Sequence, residues 1–283
     1  MKYNLTKDNY EISVDTLGAE LTELKKDGVN YLWTKNPPFW QRHAPVLFPI
    51  VGKLKNNSYV YEGQEYSLSQ HGFARDSEFE LVAQTSSSLE FRLLENKNPN
   101  YPFEYDFYIT YTLGTEGVRT TYRIVNEGSK VLQFSVGAHP GFLCPLNTGE
   151  NLEDYFFEFE ADEILHRTLL QDGLLTNIEQ QIPLENRRLP ISELLFKDDA
   201  LVLSKFKSKW VALKSKTYSL KVSWDDCTYL GLWKQPNAPF VCIEPWWGVT
   251  DEADRNSKII EKRGINHLNP KEEKSFWFEM FIG

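Results

Sequence analysis

Two ionisable side chains occupy matching places in this sequence. His139 sits in VGAHPGFLCP and Glu244 in APFVCIEPWWG, each at the end of an apolar run and each followed by proline. Proline disfavours helical backbone at the residue before it and holds that residue extended. Both groups are therefore expected at strand ends. Alternation puts Leu132, Phe134, Val136 and Ala138 on one face of the earlier strand. Gln133, Ser135, Gly137 and His139 fall on the other, a small polar face with room above it. In the later strand Phe240, Cys242 and Glu244 share one face, opposite Val241 and Ile243. A histidine so placed is a candidate catalytic acid and Glu244 its candidate partner. The competing structural readings are a core histidine bonded to a carbonyl and a buried carboxylate held in an ion pair.

Two further segments carry polar groups. SQHGFARD, residues 69–76, packs Gln70, His71 and Arg75 into one loop, with Arg75–Asp76 as an ordinary surface pair on the plain reading. WQRHAPVLFPIVGKLKN, residues 40–56, sets Arg42 and Lys53 on either side of an apolar strand whose two prolines predict an edge or an irregular stretch. Trp40, Trp233, Trp246 and Trp247 lie beside these motifs, where a flat apolar face can stack on a ring. The sequence has no GxSxG, no glycine-rich phosphate loop and no HExxH. His71, His139 and Glu244 are conceivable metal ligands, but without a closely spaced histidine pair no metal site is expected.

The elements that must position these groups read as strands. EFELVAQT, SLEFRLLE, YDFYITYTLG, VRTTYRIVNEG and VLQFSVGA are rich in β-branched and aromatic residues. Asp27-Gly28, Glu62-Gly63, Glu116-Gly117, Glu127-Gly128 and Asp172-Gly173 are expected tight turns. PISELLF (190–196) is the best helical signal, with Pro190 near its first turn. No linker, repeat or low-complexity tract divides the 283 residues, so the expectation is one large antiparallel β domain, 1–283. A net charge of −9 argues against nucleic acid or an anionic membrane as main partner. Three cysteines without a CxxC fit a reducing compartment, and with no apolar leader the cytoplasm is the expected location.

Taken together the motifs resemble the aldose 1-epimerase (galactose mutarotase-like) superfamily, in its LacX-type branch and close to the hexose-6-phosphate epimerases. The resemblance runs from LGAELTELKKDGVNYLW through PVLFPIVGKL, QHGFAR and GAHPGF to FVCIEPWWG and the closing strand. It implies a large antiparallel β-sandwich with the site on the concave face of one sheet. It also implies His139 as general acid and Glu244 as general base. His71 would contact sugar hydroxyls, and Gln70 and Arg75 would contact ligand as in the phosphate-sugar branch. KDDALVL offers Asp198 or Asp199 for hydroxyl binding, with Asp199 preferred. Arg42, Lys53, Trp233 and Trp246 complete the expected sugar-binding set. One departure stands out: the phosphate-sugar epimerases carry Arg-Gly-Gly-Ile-Pro where this chain has Arg42-His43-Ala44-Pro45.

The implied reaction suits these residue types. A base takes the proton of the C1 hydroxyl while an acid protonates the ring oxygen; the C1–C2 bond rotates and the ring recloses. Imidazole and a partly buried carboxylate can both be tuned for such exchange. No metal, nucleotide or covalent intermediate is needed, so no cofactor is expected and a small sugar is the expected partner. Three alternatives remain: a hexose-6-phosphate 1-epimerase, a non-catalytic carbohydrate-binding β-sandwich and a metal-dependent sugar isomerase.

Overall fold

A computed structural model describes residues 1–94 and 97–283. Among these, strands dominate and the only helices are short 3-10 turns. A nine-stranded sheet and an eight-stranded sheet enclose the main core, with four-stranded and two-stranded sheets at their margins. The fold is the expected all-β sandwich of antiparallel sheets. In the nine-stranded sheet, Tyr105–Leu113 alternates strictly between buried and half-buried residues. Its inward set, Tyr105, Phe107, Ile109 and Tyr111, belongs to the common core. The period of two in the sequence thus becomes one dry face and one wetter face.

The strands stand close to where the sequence puts them: Phe79–Gln84, Ser88–Leu93, Tyr105–Leu113 and Gly117–Asn126. Glu95, which ends the second expected segment, lies outside the described residues. Asp27-Gly28, Glu62-Gly63 and Asp172-Gly173 each join two paired strands with positive φ at both residues, the backbone that a two-residue hairpin requires. The other two expected turns differ. Gly117 is already the first residue of a strand, and Glu127-Gly128 leads out of the sheet with both amides bound to the Glu104 carbonyl. PISELLF also differs: Pro190 ends a strand, and only Glu193–Phe196 coils, capped by Ser192. One isolated turn fixes many dihedrals for few hydrogen bonds, so a segment this short stops at 3-10 geometry.

In the eight-stranded site sheet Gly141–Leu143 pairs with Phe240–Trp247 off the main path, which runs in the order Leu174–Pro183, Ile164–Gln171, Leu201–Ser204, Tyr229–Trp233, Phe240–Trp247, Val136–Ala138 and Val46–Leu47. The last of these, flanked by Pro45 and Pro49, is the short edge strand that its prolines predict. VLQFSVGA is not one strand. Leu132–Phe134 pairs with Asn266–Leu268, and the chain changes sheets at Ser135, whose amide donates to the Pro49 carbonyl.

Candidate active site

The long strand Phe240–Trp247 separates two environments. Val241, Ile243 and Trp247 point into the main core, while Phe240, Cys242 and Trp246 belong to smaller clusters on the opposite face. Glu244 shares that opposite face by alternation. Val136 and Gly137 pair with Trp247 and Trp246, and after the break Gly141 pairs with Cys242. Both stretches keep one register, so the interrupted ladder brings His139 directly opposite Glu244. Pro140 and Pro245 have no N–H to give at this point, which explains why pairing lapses there. The result is a carboxyl and an imidazole facing each other, Oε2 to Nε2, at 3.3 Å.

Two glycines make the neighbouring surface possible. A Cβ on Gly231 would stand 2.4 Å from the Trp246 ring, and one on Gly137 would stand 2.7 Å from it. The indole therefore lies flat along the sheet, filling space that side chains on either flanking strand would take. Trp40 and Trp233 pack on His139 with ring centroids 4.7 and 5.5 Å away, and His71 stands edge-on at 5.6 Å. These groups line a cavity of about 460 Å³ together with Gln70, Arg75 and Asp199.

His71 is held by backbone. Its own amide donates to the Gly52 carbonyl, and the Gly52 amide donates to its Nδ1 at 3.1 Å. An accepting Nδ1 leaves the ring proton on Nε2, so His71 offers the cavity a fixed donor. Burial, His139, Arg75 and Arg42 all hold His71 well below the usual imidazole range. Burial also drives His139 down to about 3, aided by Arg75 and Arg42. Burial pushes Glu244 well above the carboxylate range; the Trp246 indole N–H draws it partly back, and Asp199 adds a smaller push upward. The 3.3 Å spacing suits an ion pair, yet two separated charges this deep are unfavourable. Glu244 as carboxyl with neutral His139 holds the same number of protons as carboxylate with imidazolium. The pair therefore carries no net charge in either form, and the two forms differ only in which group holds the proton.

Of the residues expected from sequence, His139, Glu244, Gln70, His71, Arg75, Asp199, Trp233 and Trp246 come together at the cavity. Asp199, not Asp198, lines it; the backbone carbonyls of both accept from Arg167, at 3.0 Å for Asp198 and 3.3 Å for Asp199. Arg42 and Lys53 are corrections to the expected set, since neither lies on the cavity wall. Arg42 is committed to Asp76 at 2.8 Å, and the Lys53 ammonium donates to the Asp172 carbonyl at 3.3 Å. Trp247 faces the core and donates to Asp225. Trp40, one of the four tryptophans offered for stacking, lines the cavity too, and the cavity also takes two polar residues that the sequence reading left out. Gln235 follows Trp233 closely. Thr250 bears no motif: its hydroxyl accepts from the Lys53 amide at 2.9 Å and donates to the Gly173 carbonyl at 2.6 Å, tying two loops of the wall. Among the described residues, the donors that could hold a metal are His139, Cys242 and Glu244, one atom from each lying within 4.8 Å of the others; His71 is not among them.

The family model for aldose 1-epimerase matches residues 1–280, and the chain belongs to that family. The plasmid-encoded protein LacX of Lactococcus lactis subsp. lactis is 33% identical over 298 residues, spanning 100% of this chain and 99% of its own. A galactose mutarotase related enzyme from Lactobacillus acidophilus superposes with a TM-score of 0.95 at 35% identity, covering 100% of this chain and 97% of that one. A galactose mutarotase-like protein from Lactobacillus casei ATCC 334 does so with a TM-score of 0.93 at 28% identity, covering 100% of each.

Proposed function

We propose that this chain is an aldose 1-epimerase that interconverts the α and β anomers of a neutral hexose, with residues 1–283 acting as one catalytic domain and no cofactor. The observation that carries the reading is the His139–Glu244 pair, 3.3 Å apart at the floor of an aromatic-walled cavity. Glu244 as carboxylate takes the C1 hydroxyl proton while His139 as imidazolium protonates the ring oxygen, and the C1–O5 bond breaks. Rotation about C1–C2 and the reverse transfers reclose the ring on the other face. The proton needed is the one the buried pair already holds. Trp40, Trp233 and Trp246 offer apolar faces to the ring, while Asp199, Gln70, Arg75 and His71 offer polar groups to its hydroxyls. A cavity of about 460 Å³ falls in the range for small-molecule sites.

A second reading, a hexose 6-phosphate, is favoured by one observation: the Arg42 and Arg75 guanidiniums approach each other and share the single carboxylate of Asp76. Polarimetry of freshly dissolved α-glucose, α-galactose and α-glucose 6-phosphate tests both readings. The expected result is acceleration of a neutral sugar, slowed about 10²–10⁴-fold in His139→Asn. No acceleration of any of these sugars would overturn the assignment.

A further inference from the structure

Cys242 lies two residues before Glu244 on the same strand and shares its face. It has no exposed surface, and the catalytic reading gives it nothing to do. Its sulfur, a ring nitrogen of His139 and a carboxylate oxygen of Glu244 lie within 4.8 Å of one another. Glu244 is only 1% exposed, and its Oε2 is left without a hydrogen bond even though His139 Nε2 is 3.3 Å away. The two atoms are near but not aligned, so their lone pairs are free to converge on a third point. Nitrogen and oxygen donors held at tetrahedral angles by one zinc ion stand about 3.3 Å apart, given bond lengths of about 2.0–2.1 Å. A thiolate at about 2.3 Å from the same ion would stand about 3.6 Å from each, so with the donors already within 4.8 Å a shift of at most about 1.2 Å brings the sulfur in.

We propose that His139, Cys242 and Glu244 form an inhibitory site for a thiophilic divalent cation, Zn²⁺ above all, with the fourth position open to the cavity. The donor set of one nitrogen, one sulfur and one oxygen selects zinc over magnesium or calcium, which favour oxygen ligands in larger number. On binding, two protons leave to solvent, the thiol's as the zinc–sulfur bond forms and the one held by the His139–Glu244 pair, so that thiolate, neutral imidazole and carboxylate ligate the ion and their lone pairs can no longer move protons. The site thus couples free zinc to turnover by removing the acid and the base together. The effect on turnover rests on the epimerase reading; the binding itself does not.

The test uses the full chain freed of metal by chelation. Co²⁺ added to it should give a thiolate-to-cobalt charge-transfer band in the near ultraviolet, which Zn²⁺ then displaces. Cys242→Ala, and Cys242→Ser as a second variant, should lose the band while melting as cooperatively as the parent. His139→Asn should weaken it independently. In the anomerisation assay Zn²⁺ should inhibit and Mg²⁺ should not. Cys242→Ala should keep its metal-free turnover and need at least about tenfold more Zn²⁺ for half inhibition, since even an outer partner of a zinc ligand is worth about 10–100-fold. Absence of the band, its survival in both Cys242 variants, or equal Zn²⁺ inhibition of parent and variant would overturn the site. A band that behaves as expected in a protein that turns over no sugar would keep the site and sink the epimerase reading instead.

Discussion

Glu244→Gln separates a catalytic carboxylate from a structural one, because the two roles give opposite signs in stability. The substitution keeps volume and shape but removes the proton acceptor. Loss of a positioned proton-transfer group costs about 10²–10⁴ in kcat, equivalent to about 3–5 kcal/mol of transition-state stabilisation. The amide also takes away the route across the 3.3 Å gap, so His139 cannot be recharged by its neighbour. KM should move little, since the ring-stacking walls and the Arg75 and Asp199 contacts remain. Stability should hold or rise by about 1 kcal/mol, because a neutral amide escapes the cost of burying an ionisable group that is 1% exposed. A structural ion pair behaves otherwise: removing one partner leaves an uncompensated group and costs about 3–5 kcal/mol. The assay pairs anomerisation kinetics with urea denaturation of parent and variant. Near-normal turnover in a folded variant would refute the base assignment. A stability loss of 3 kcal/mol or more would show that the pair is there to hold the strands together.

Gly231→Ala should cost about 1–3 kcal/mol by overpacking, because its methyl would meet Trp246 at 2.4 Å; sugar affinity should fall with it, and a melting temperature equal to the parent's would contradict the packing account. Arg75→Gln should weaken glucose or galactose by about 1–3 kcal/mol with little salt dependence, as for a lost charged hydrogen bond to an uncharged ligand. A tenfold or greater preference for glucose 6-phosphate that collapses with salt and in this variant would instead favour the phosphosugar. Lys262 is buried with its ammonium on the Val249 and Arg263 carbonyls. Burial, Arg255 and Arg263 hold it down to about 8, against the pull of Asp251 and Glu252. Between that value and the unfolded value of about 10.4 the unfolded chain holds a proton that the folded one lacks, so stability rises with pH across the window. Relative to Lys262→Met the parent should gain about 1.4 kcal/mol per pH unit there. A stability difference between the two that stays flat from pH 7.5 to 10 would show that Lys262 is not the titrating group.

Much of this site was legible because its information is local. Alternation assigned Phe240, Cys242 and Glu244 to one face, and a following proline marked both His139 and Glu244 as strand-end groups. Asp27-Gly28, Glu62-Gly63 and Asp172-Gly173 were readable because two-residue hairpins demand positive φ. What was not legible depends on long-range placement. VLQFSVGA reads as one strand, and nothing within it announces that Ser135 will bind the Pro49 carbonyl and send the chain to another sheet. Arg42 and Lys53 have the right chemistry, but where an arginine spends its charge depends on the nearest carboxylate, and for Arg42 that is Asp76, 34 positions away. Thr250 is a single hydroxyl whose role exists only once Lys53 and Gly173 are brought beside it.

The interruption of the ladder is what turns a sheet into a reactive surface. In an unbroken antiparallel pair, facing residues exchange backbone hydrogen bonds and their side chains stand side by side. Here prolines remove donors on either side of the His139–Glu244 position, Pro140 facing Ile243 and Pro245 facing Ala138, and the chain at His139 is released from the ladder while staying opposite Glu244. On either side the ladder resumes, so the freedom is confined to a few residues and the geometry stays fixed. Trp246 covers the neighbouring surface because Gly137 and Gly231 give it room, and the aromatic wall keeps water from screening the pair. Burial then does the electrostatic work. It leaves a carboxyl facing a neutral imidazole at no net charge, a state that, on the epimerase reading, a sugar hydroxyl on one side and a ring oxygen on the other can draw in opposite directions.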